Sequence, residues 1–341
     1  MTRAALMRAA TFAASVALLA PGALPPQIPA QRGAAPGQRG AAPDSPEIRQ
    51  RLEAVRQVAG QEWAETFEFL CTANGGRANR PDDPELPPTR VFDNLAVVGR
   101  IGTAVWIVTT SDGLVLIDAG YEDQLDLVLL PGMRALGLDP DRVTHVIVGH
   151  GHADHFGGAP YFQRRGARVV MGAPDWDLVE APAAAGRGGP PATPVPAPAR
   201  DIGVTDGQTL TLGGVTFTFA LVPGHTAGSL GVVFPVRDGG QTHTAGLFGG
   251  SVLIPGFIPE AGLRQYVESI ARWSAVTRDL GVDVEIQNHP LYDGFTAKLD
   301  RLRARGPGQP NPFLVGQQSY QRFLQVMSGC TEVQLARRAG A

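Results

Sequence analysis

One stretch of the sequence restricts the possible folds more than any other, because an apolar segment runs directly into a group of metal-ligating side chains. Residues 146–148 are Val-Ile-Val, and the six positions after Gly149 contain four such side chains: His150, His152, Asp154 and His155. A Val/Ile run that ends at glycine is typical of a strand buried on both faces. Imidazole and carboxylate groups are ordinary zinc ligands, so the loop after this strand is a candidate metal site. A solvated polar loop is the alternative interpretation.

Composition and charge exclude several classes of protein. The chain has 341 residues, of which 43% are hydrophobic and 18% charged, so it is long enough to bury a large core in one or two domains. Its formal net charge is −3, and its arginines are scattered along the sequence. Because no basic field is available to hold a polyanion, nucleic acid is not expected as a partner.

The N-terminus has the pattern of an export signal. Arg3 and Arg8 precede an apolar run over residues 9–20 that is too short to span a bilayer. We therefore interpret residues 1–23 as a signal and expect a periplasmic or secreted protein with no membrane segment in its mature form. An Ala-rich disordered leader or an uncleaved anchor is the alternative.

The next segment differs sharply in composition from the rest of the chain. Residues 24–46 are rich in Ala, Pro and Gly and contain the hexamer Gln-Arg-Gly-Ala-Ala-Pro twice, which is typical of a linker. Residues 47–341 are expected to form a single domain. Within this domain, residues 181–200 are low in complexity and rich in proline, and they indicate a flexible surface insertion.

The chain has two cysteines, Cys71 and Cys330, placed near the two ends of this domain. An exported protein meets an oxidising compartment, which favours one disulfide between them. Two cysteines that are free and buried are the alternative. Neither belongs to a CxxC motif, so neither is a candidate for a zinc finger or a redox motif.

Strand-like and helix-like segments come in two blocks. A helix is predicted to start after Asp44 or Ser45, to continue through Leu70 and to end at residues 74–76. The first block then has predicted strands at 94–98, 104–109, 114–117, 144–148 and 168–171. Its predicted helices are at 124–136, interrupted or started afresh at Pro131, and at 156–165. The second has strands at 209–212, 216–221, 230–234, 244–248 and 283–287, with a hairpin at 238–240 and helices at 260–280, 295–305 and 320–336. Two β-blocks, each accompanied by helices, indicate an α/β fold with a sheet-on-sheet core covered by helices on both outer faces.

Two further histidines occur in a setting like that of the opening stretch. His225 follows an apolar strand in the sequence Pro-Gly-His-Thr, and His289 follows the strand at 283–287. Five histidines and one aspartate on strand-end loops are too many for one tetrahedral zinc ion with an open position, but they suit two metal ions. His145, inside a strand, is expected to be packed in the core, and His243, after a turn, is expected to be solvated.

These motifs together resemble those of the metallo-β-lactamase superfamily over residues 94–289. The resemblance is carried by His150-x-His152-x-Asp154-His155, by Pro223-Gly224-His225-Thr226, by His289, and by residues 116–120, where Asp118 would support the metal loop. It implies a four-layer αβ/βα sandwich.

The resemblance narrows to class B β-lactamases of subclass 3. Most hydrolases of the superfamily, including glyoxalase II and the lactonases, carry a bridging aspartate in the stretch that here spans residues 247–252 and has no carboxylate. The other two subclasses replace His150 or use a cysteine ligand, whereas this chain keeps His150 and has Ser251. The resemblance implies two zinc ions, one held by His150, His152 and His225 and the other by Asp154, His155 and His289.

The function implied is that of a β-lactamase active in antibiotic resistance. Water ionised on zinc would attack the β-lactam amide, Asp154 would act as the catalytic carboxylate, and Ser251 would bind the substrate carboxylate. Leu253 stands where a second serine is common, and Gly250 where an aspartate is common. The alternatives are a related di-zinc hydrolase acting on another amide, lactone or ester, and a secreted metal-binding protein without catalysis.

Overall fold

Two β-sheets packed face to face dominate the computed structural model of this chain. It describes residues 44–72, 83–181, 195–253 and 258–340, all within one compact unit. The predicted signal, nearly all of the predicted linker and residues 182–194 of the predicted insertion lie outside the described residues.

The first sheet has seven strands in sequence order. They are β1 (Thr89–Phe92), β2 (Leu95–Arg100), β3 (Thr103–Thr109), β4 (Leu114–Ile117), β5 (Val143–Val148), β6 (Arg168–Gly172) and β7 (Ile202–Val204). The pairs from β1 to β4 are antiparallel, and those from β4 to β7 are parallel. Because parallel neighbours require crossover connections, helices lie between the later strands, and the parallel strands end at a common edge.

The second sheet has five strands in the order β12-β11-β10-β9-β8. They are β8 (Thr209–Leu212), β9 (Val215–Leu221), β10 (Leu230–Asp238), β11 (Gln241–Phe248) and β12 (Val284–Ile286). Only the β11–β12 pair is parallel among the described pairs of this sheet. The predicted hairpin is confirmed, since Asp238 pairs with Gln241 across the Gly239-Gly240 turn.

Helices cover the outer face of each sheet. The α-helices of the described residues are α1 (Pro46–Ala59), α2 (Ala64–Phe67), α3 (Leu130–Ala135), α4 (Ala153–Phe156), α5 (Ala159–Gln163), α6 (Ala173–Glu180), α7 (Glu260–Asp279), α8 (Phe295–Arg303) and α9 (Gln317–Ala339). One apolar cluster joins the first sheet to α3, α5 and α6, and another joins the second sheet to α7 and α9. A third, which includes Trp106, Ile147, Phe217 and Phe234, fills the space between the sheets. The predicted αβ/βα sandwich is confirmed.

Several predicted helices are interrupted. Ser45 caps α1 by accepting a hydrogen bond from the Ile48 amide at 3.2 Å, as the sequence indicates. The prediction of one helix through Leu70 was wrong, because α1 ends at Ala59 with Gly60 as its cap and the chain re-forms as α2 and a π-turn at Glu68–Thr72. The predicted end of that helix lies outside the described residues. The helix predicted at 124–136 is interrupted near Pro131, as predicted, because α3 starts afresh at Leu130. The helix predicted at 156–165 is divided into shorter helical turns.

A disulfide between Cys71 and Cys330 is present, which confirms the predicted pairing. It joins the π-turn after α2 to α9, and Arg337 strengthens the same contact. The Arg337 guanidinium donates to the Cys71 carbonyl and to the Asp44 carboxylate, each at 2.8 Å. In the part of the chain that the structure describes, no helix has the length and apolar character needed to cross a membrane.

Candidate metal centre

The loops that carry the predicted ligands meet at one edge of the sandwich. The loop of His150 follows β5, that of His225 follows β9, and His289 follows β12. The two sheets are joined here by the backbone, since the Leu230 amide donates to the Gly149 carbonyl at 2.8 Å. The structure therefore brings together side chains that are up to 139 positions apart, from His150 to His289.

His150, His152 and His225 form the first group, called here the three-histidine cluster. His225 Nε2 lies 3.1 Å from His152 Nδ1. The His150 ring centre lies 4.8 Å from that of His152 and 4.4 Å from that of His225. Each ring offers a nitrogen to a common point, with all three nitrogens within 4.8 Å of one another. Tetrahedral zinc ligands at about 2.0–2.1 Å from the ion stand roughly 3.3 Å apart, so this cluster could hold such an ion.

The hydrogen bonding of His150 tests whether a metal ion fits. Its side chain is fully buried, and neither ring nitrogen has a hydrogen-bond partner among the described residues. Buried polar groups are normally paired, because an unpaired one costs desolvation free energy. Burial, followed by the repulsion of neighbouring histidines, lowers the pKa of His150 and that of His225 well below the usual range. Both rings are therefore neutral, which is the form that binds metals.

Asp154, His155 and His289 form the second group, called here the aspartate–histidine cluster. Asp154 Oδ2 lies 3.0 Å from His155 Nε2 and 3.7 Å from His289 Nε2. The two Nε2 atoms are 3.1 Å apart. The ring centres of His150 and His155 are 3.9 Å apart, so the two clusters adjoin. These residue types and spacings could hold a second ion.

Both imidazoles of the aspartate–histidine cluster are oriented through Nδ1. Asp118 Oδ2 lies 2.6 Å from His155 Nδ1, while Asp118 Oδ1 accepts the Gly149 amide at 2.7 Å. His289 Nδ1 lies 2.6 Å from the Gly102 carbonyl oxygen and donates to it. These bonds leave each Nε2 free to face Asp154. Asp118 has φ 64°, alone among the non-glycine residues described, which is the kind of backbone strain that occurs at functional sites.

The charges of this cluster are strongly coupled. Burial opposes the charged form of His155, but Asp154 and Asp118 together raise its pKa to about 10. Burial likewise opposes ionisation of Asp154, yet the attraction and hydrogen bond of His155 hold the pKa of Asp154 well below its usual range. In the metal-free protein, the aspartate–histidine cluster therefore retains a proton on His155 at neutral pH.

The segment after β11 lies against the three-histidine cluster. A side chain at Gly250 would meet His225 Cβ at 2.7 Å and Ser229 Oγ at 2.8 Å, so this position accommodates only glycine without movement. Ser251 is fully buried, and its hydroxyl lies beside the Tyr292 side chain. Its carbonyl accepts a hydrogen bond from the Tyr266 hydroxyl at 2.9 Å. Leu253 is buried as well.

Two groups beside the clusters were missed by the sequence reasoning. One is the Gly102 carbonyl, which orients His289, and a backbone group leaves no signal in the residue types. The other is Asp175 on α6, a fully buried carboxylate that accepts hydrogen bonds from the loops of both His150 and His225. An aspartate after Ala-Pro in a first helical turn is a common helix start, so its sequence context does not distinguish it.

The two remaining histidines lie outside both clusters, as predicted. His145 lies inside β5, as predicted, but it is half-buried rather than packed in the core. His243 was predicted to be solvated, but its ring is largely buried on β11 and pairs with Asp283 Oδ2 at 2.8 Å from Nδ1. The carboxylate partner, 40 residues away, was not visible in the local sequence.

Comparisons with known proteins agree with this geometry. The family model of the metallo-β-lactamase superfamily matches residues 98–239. The structure is similar to that of BJP-1, a subclass B3 metallo-β-lactamase of Bradyrhizobium japonicum, with 26% identity and a TM-score of 0.66 over 76% of this chain and 96% of that one. It is also similar to a metallo-β-lactamase from Cronobacter sakazakii, with 27% identity and a TM-score of 0.61 over 75% of this chain and 97% of that one.

A curated relative points to a different activity within the same kind of fold. The chain is 34% identical to a hydroxyacylglutathione hydrolase of Pseudomonas syringae pv. syringae over 101 residues, which are 29% of this chain. The match spans only 32% of that relative's length. The resemblance to the superfamily and to the subclass B3 enzymes is confirmed, and the comparisons leave the substrate open.

Proposed function

We propose that the chain is a member of the metallo-β-lactamase superfamily and a zinc-dependent β-lactamase of the subclass B3 type. The observation that carries this proposal is the convergence of six potential ligands into two adjoining clusters. We assign one Zn²⁺ to the three-histidine cluster and a second Zn²⁺ to the aspartate–histidine cluster. The partly buried histidines and the unpaired nitrogens of His150 suit the first ion. A carboxylate and two oriented imidazoles suit the second.

Zinc bound here would supply Lewis-acid catalysis and would lower the pKa of bound water toward about 7. The protein's own contribution is to hold the reacting groups and to move the proton. We assign the orientation of the attacking water and the acceptance of its proton to the Asp154 carboxylate, which lies 3.0 Å from His155 Nε2 and 3.7 Å from His289 Nε2. The same carboxylate can return that proton to the amide nitrogen when the β-lactam ring opens. Asp118 and Gly102 keep the His155 and His289 rings fixed during this transfer.

We assign the substrate carboxylate to Ser251. Ser251 follows Gly250, where an added Cβ would lie 2.7 Å from His225 Cβ, so the residue lies next to the three-histidine cluster. A hydrogen bond to a charged group contributes about 1.5–3 kcal/mol. Because Leu253 supplies no second hydroxyl, we expect weaker substrate binding than two serines would give.

A second candidate is a related hydrolase acting on a thioester, an ester or a lactone. The match to a hydroxyacylglutathione hydrolase favours it, as does Leu253. The absence of a carboxylate from residues 247–252 argues against it, because the resemblance places the bridging aspartate of such hydrolases there. A carboxylate at Gly250 would also collide with His225.

We also propose that the protein acts outside the cytoplasm, in the periplasm or after secretion. The export-signal pattern of residues 1–23 supports this location. So does the Cys71–Cys330 disulfide, since such bonds persist in oxidising compartments.

The test is turnover by the purified, zinc-loaded protein. The substrates are a chromogenic cephalosporin, a penicillin, a carbapenem, a lactone and a hydroxyacylglutathione thioester. We expect β-lactam turnover that a chelator abolishes and added zinc restores, with little thioester hydrolysis. Faster hydrolysis of the thioester or lactone than of every β-lactam would transfer the assignment to the second candidate. Two bound zinc ions without turnover of any substrate would overturn both.

A further inference from the structure

We propose that Asp175 is a positioning residue that sets the affinity of the three-histidine cluster for its metal ion. It touches none of the three imidazoles in the contacts described, and it acts on the backbone that carries them. This inference rests on the metal assignment made above. It goes beyond that assignment because it names the group that positions the backbone of the three-histidine cluster.

The contacts of Asp175 reach both ligand loops. Its Oδ2 atom accepts from the Gly151 amide at 2.7 Å, and Gly151 lies between the ligands His150 and His152. The same atom accepts from the Thr226 hydroxyl at 2.7 Å, directly after His225. Its Oδ1 atom accepts from the Gly228 amide at 2.7 Å. One carboxylate therefore connects the two loops that supply all three histidines.

Close backbone packing allows this contact. A Cβ at Gly172 would lie 2.0 Å from the Gly228 carbonyl oxygen, and a Cβ at Gly228 would lie 2.6 Å from the Asp175 amide nitrogen. The start of α6 is therefore pressed directly onto the His225 loop. Asp175 lies in the first turn of α6, where a carboxylate is also favoured by the helix dipole.

The chemistry of the contact requires a carboxylate rather than an amide. Three donors converge on two oxygens, and Asp175 is completely buried, so water cannot replace a lost acceptor. An asparagine has one oxygen and one NH₂ group, so in either orientation its NH₂ group faces at least one N–H donor. The Thr226 hydroxyl also lies 2.7 Å from Ser229 Oγ and can donate there instead, so the Gly151 and Gly228 amides are the donors that depend most on the carboxylate. Asp175→Asn therefore releases at least one ligand loop without changing the size of the side chain.

The aspartate–histidine cluster is held by other groups. Asp118 fixes His155, and the Gly102 carbonyl fixes His289. Asp175 contacts neither group in the hydrogen bonds described for it. Because the His150 loop also carries Asp154 and His155, loss of the Asp175 carboxylate should weaken metal binding chiefly, rather than exclusively, at the three-histidine cluster, since it holds both loops of that cluster. Groups that orient metal ligands typically contribute about 10–100-fold in metal affinity.

The experiment measures zinc binding by the full-length protein and does not depend on turnover. Asp175→Asn is compared with wild type by equilibrium dialysis at limiting zinc, by competition with a chromophoric chelator, and by ¹⁵N-histidine NMR, which identifies the bound imidazoles. Asp177→Asn is the matched control, because Asp177 lies on the same helix but is exposed and pairs with Arg200. Thr226→Val, which removes one of the three donors, is the second variant if Asp175→Asn does not fold.

We expect one of the two zinc ions to bind about 10–100-fold more weakly in Asp175→Asn, with the NMR signals of His155 and His289 still shifted by the remaining ion. The Asp177→Asn protein should bind both ions as wild type does, and Thr226→Val should show a smaller loss of the same kind. Unchanged zinc affinity in a folded variant, or equal weakening at both clusters, would overturn the inference. This test does not depend on the proposed function. If wild-type protein bound two zinc ions but hydrolysed no β-lactam, the proposed function would fail and the effect of Asp175→Asn on zinc affinity could still be measured.

Discussion

The two clusters adjoin, but the protein holds them in different ways. The three-histidine cluster is fixed through its backbone, because Asp175 connects the loops at Gly151, Thr226 and Gly228. The aspartate–histidine cluster is fixed through its side chains, which bond to Asp118 and to the Gly102 carbonyl. The bonds to Asp175 fix the positions of the loops that carry the three histidines. The bonds to Asp118 and to the Gly102 carbonyl fix the ring orientations of His155 and His289, and Asp118 also favours the protonated form of His155.

The electrostatics of the two clusters follow from this difference. His150 and His225 are buried beside other histidines, so their pKa values are lowered and their rings are neutral. His155 lies between two carboxylates, which raise its pKa despite burial. A cation can therefore bind His150 and His225 without displacing a proton from either ring, whereas at the second cluster it must displace the proton of His155.

The largest expected effect comes from removing one ligand of each cluster. His150→Ala and His289→Ala should each lower β-lactam turnover by about 10³-fold or more, because losing metal-assisted charge stabilisation costs several kcal/mol in the transition state. Steady-state kinetics and zinc content measured on the same preparations check this. His243→Ala is the control, since this histidine lies outside both clusters and should keep turnover within about twofold of wild type. Retention of full activity and two zinc ions in either ligand variant would contradict the assignment.

A smaller and more selective effect is expected at Asp118. Asp118→Asn can keep the left-handed backbone, which asparagine tolerates, and one oxygen to accept the Gly149 amide. Its NH₂ group would then face His155 Nδ1 and favour the wrong tautomer. We expect zinc affinity to fall by about 10–100-fold at the aspartate–histidine cluster and to be retained at the three-histidine cluster, as measured by chelator competition. For Asp175→Asn we expect the opposite, a larger loss of zinc affinity at the three-histidine cluster. If both variants lost affinity mainly at the same cluster, the proposed difference between the clusters would be wrong.

The smallest expected effect is a difference in pH dependence. The folded pKa of His155 is raised to about 10 from an ordinary value of 6.5, so its pairing stabilises the metal-free protein fully below pH 6.5 and is lost as the pH rises toward 10. Zinc must displace that proton, so affinity at the aspartate–histidine cluster should rise about tenfold from pH 7 to pH 8. Affinity at the three-histidine cluster should change little. Calorimetry in two buffers of different ionisation enthalpy gives the number of protons released when each zinc ion binds. Equal proton release at the two clusters would contradict the proposed difference in their charge.

The sequence predicted the parts of this site that depend on residue type. The Val/Ile run before His150 and the segment at 283–287 before His289 indicated strands, and the strand ends then brought five histidines and Asp154 together. It did not predict the groups that act through geometry, since the Gly102 carbonyl belongs to the backbone and Asp175 looks like an ordinary helix start. The break of the first helix at Gly60 was missed because the apolar spacing continues across it to Trp63 and Phe67, which are both buried.

The Cys71–Cys330 bond closes a covalent ring that contains both clusters. A protease that cuts the chain once, anywhere between these two cysteines, therefore opens the ring but leaves its two pieces attached to each other. Every proposed ligand, from His150 to His289, stays on one molecule after such a cut. On a denaturing gel the nicked protein would separate into fragments only after reduction. The disulfide therefore keeps both clusters on one molecule when a protease cuts the chain between the two cysteines.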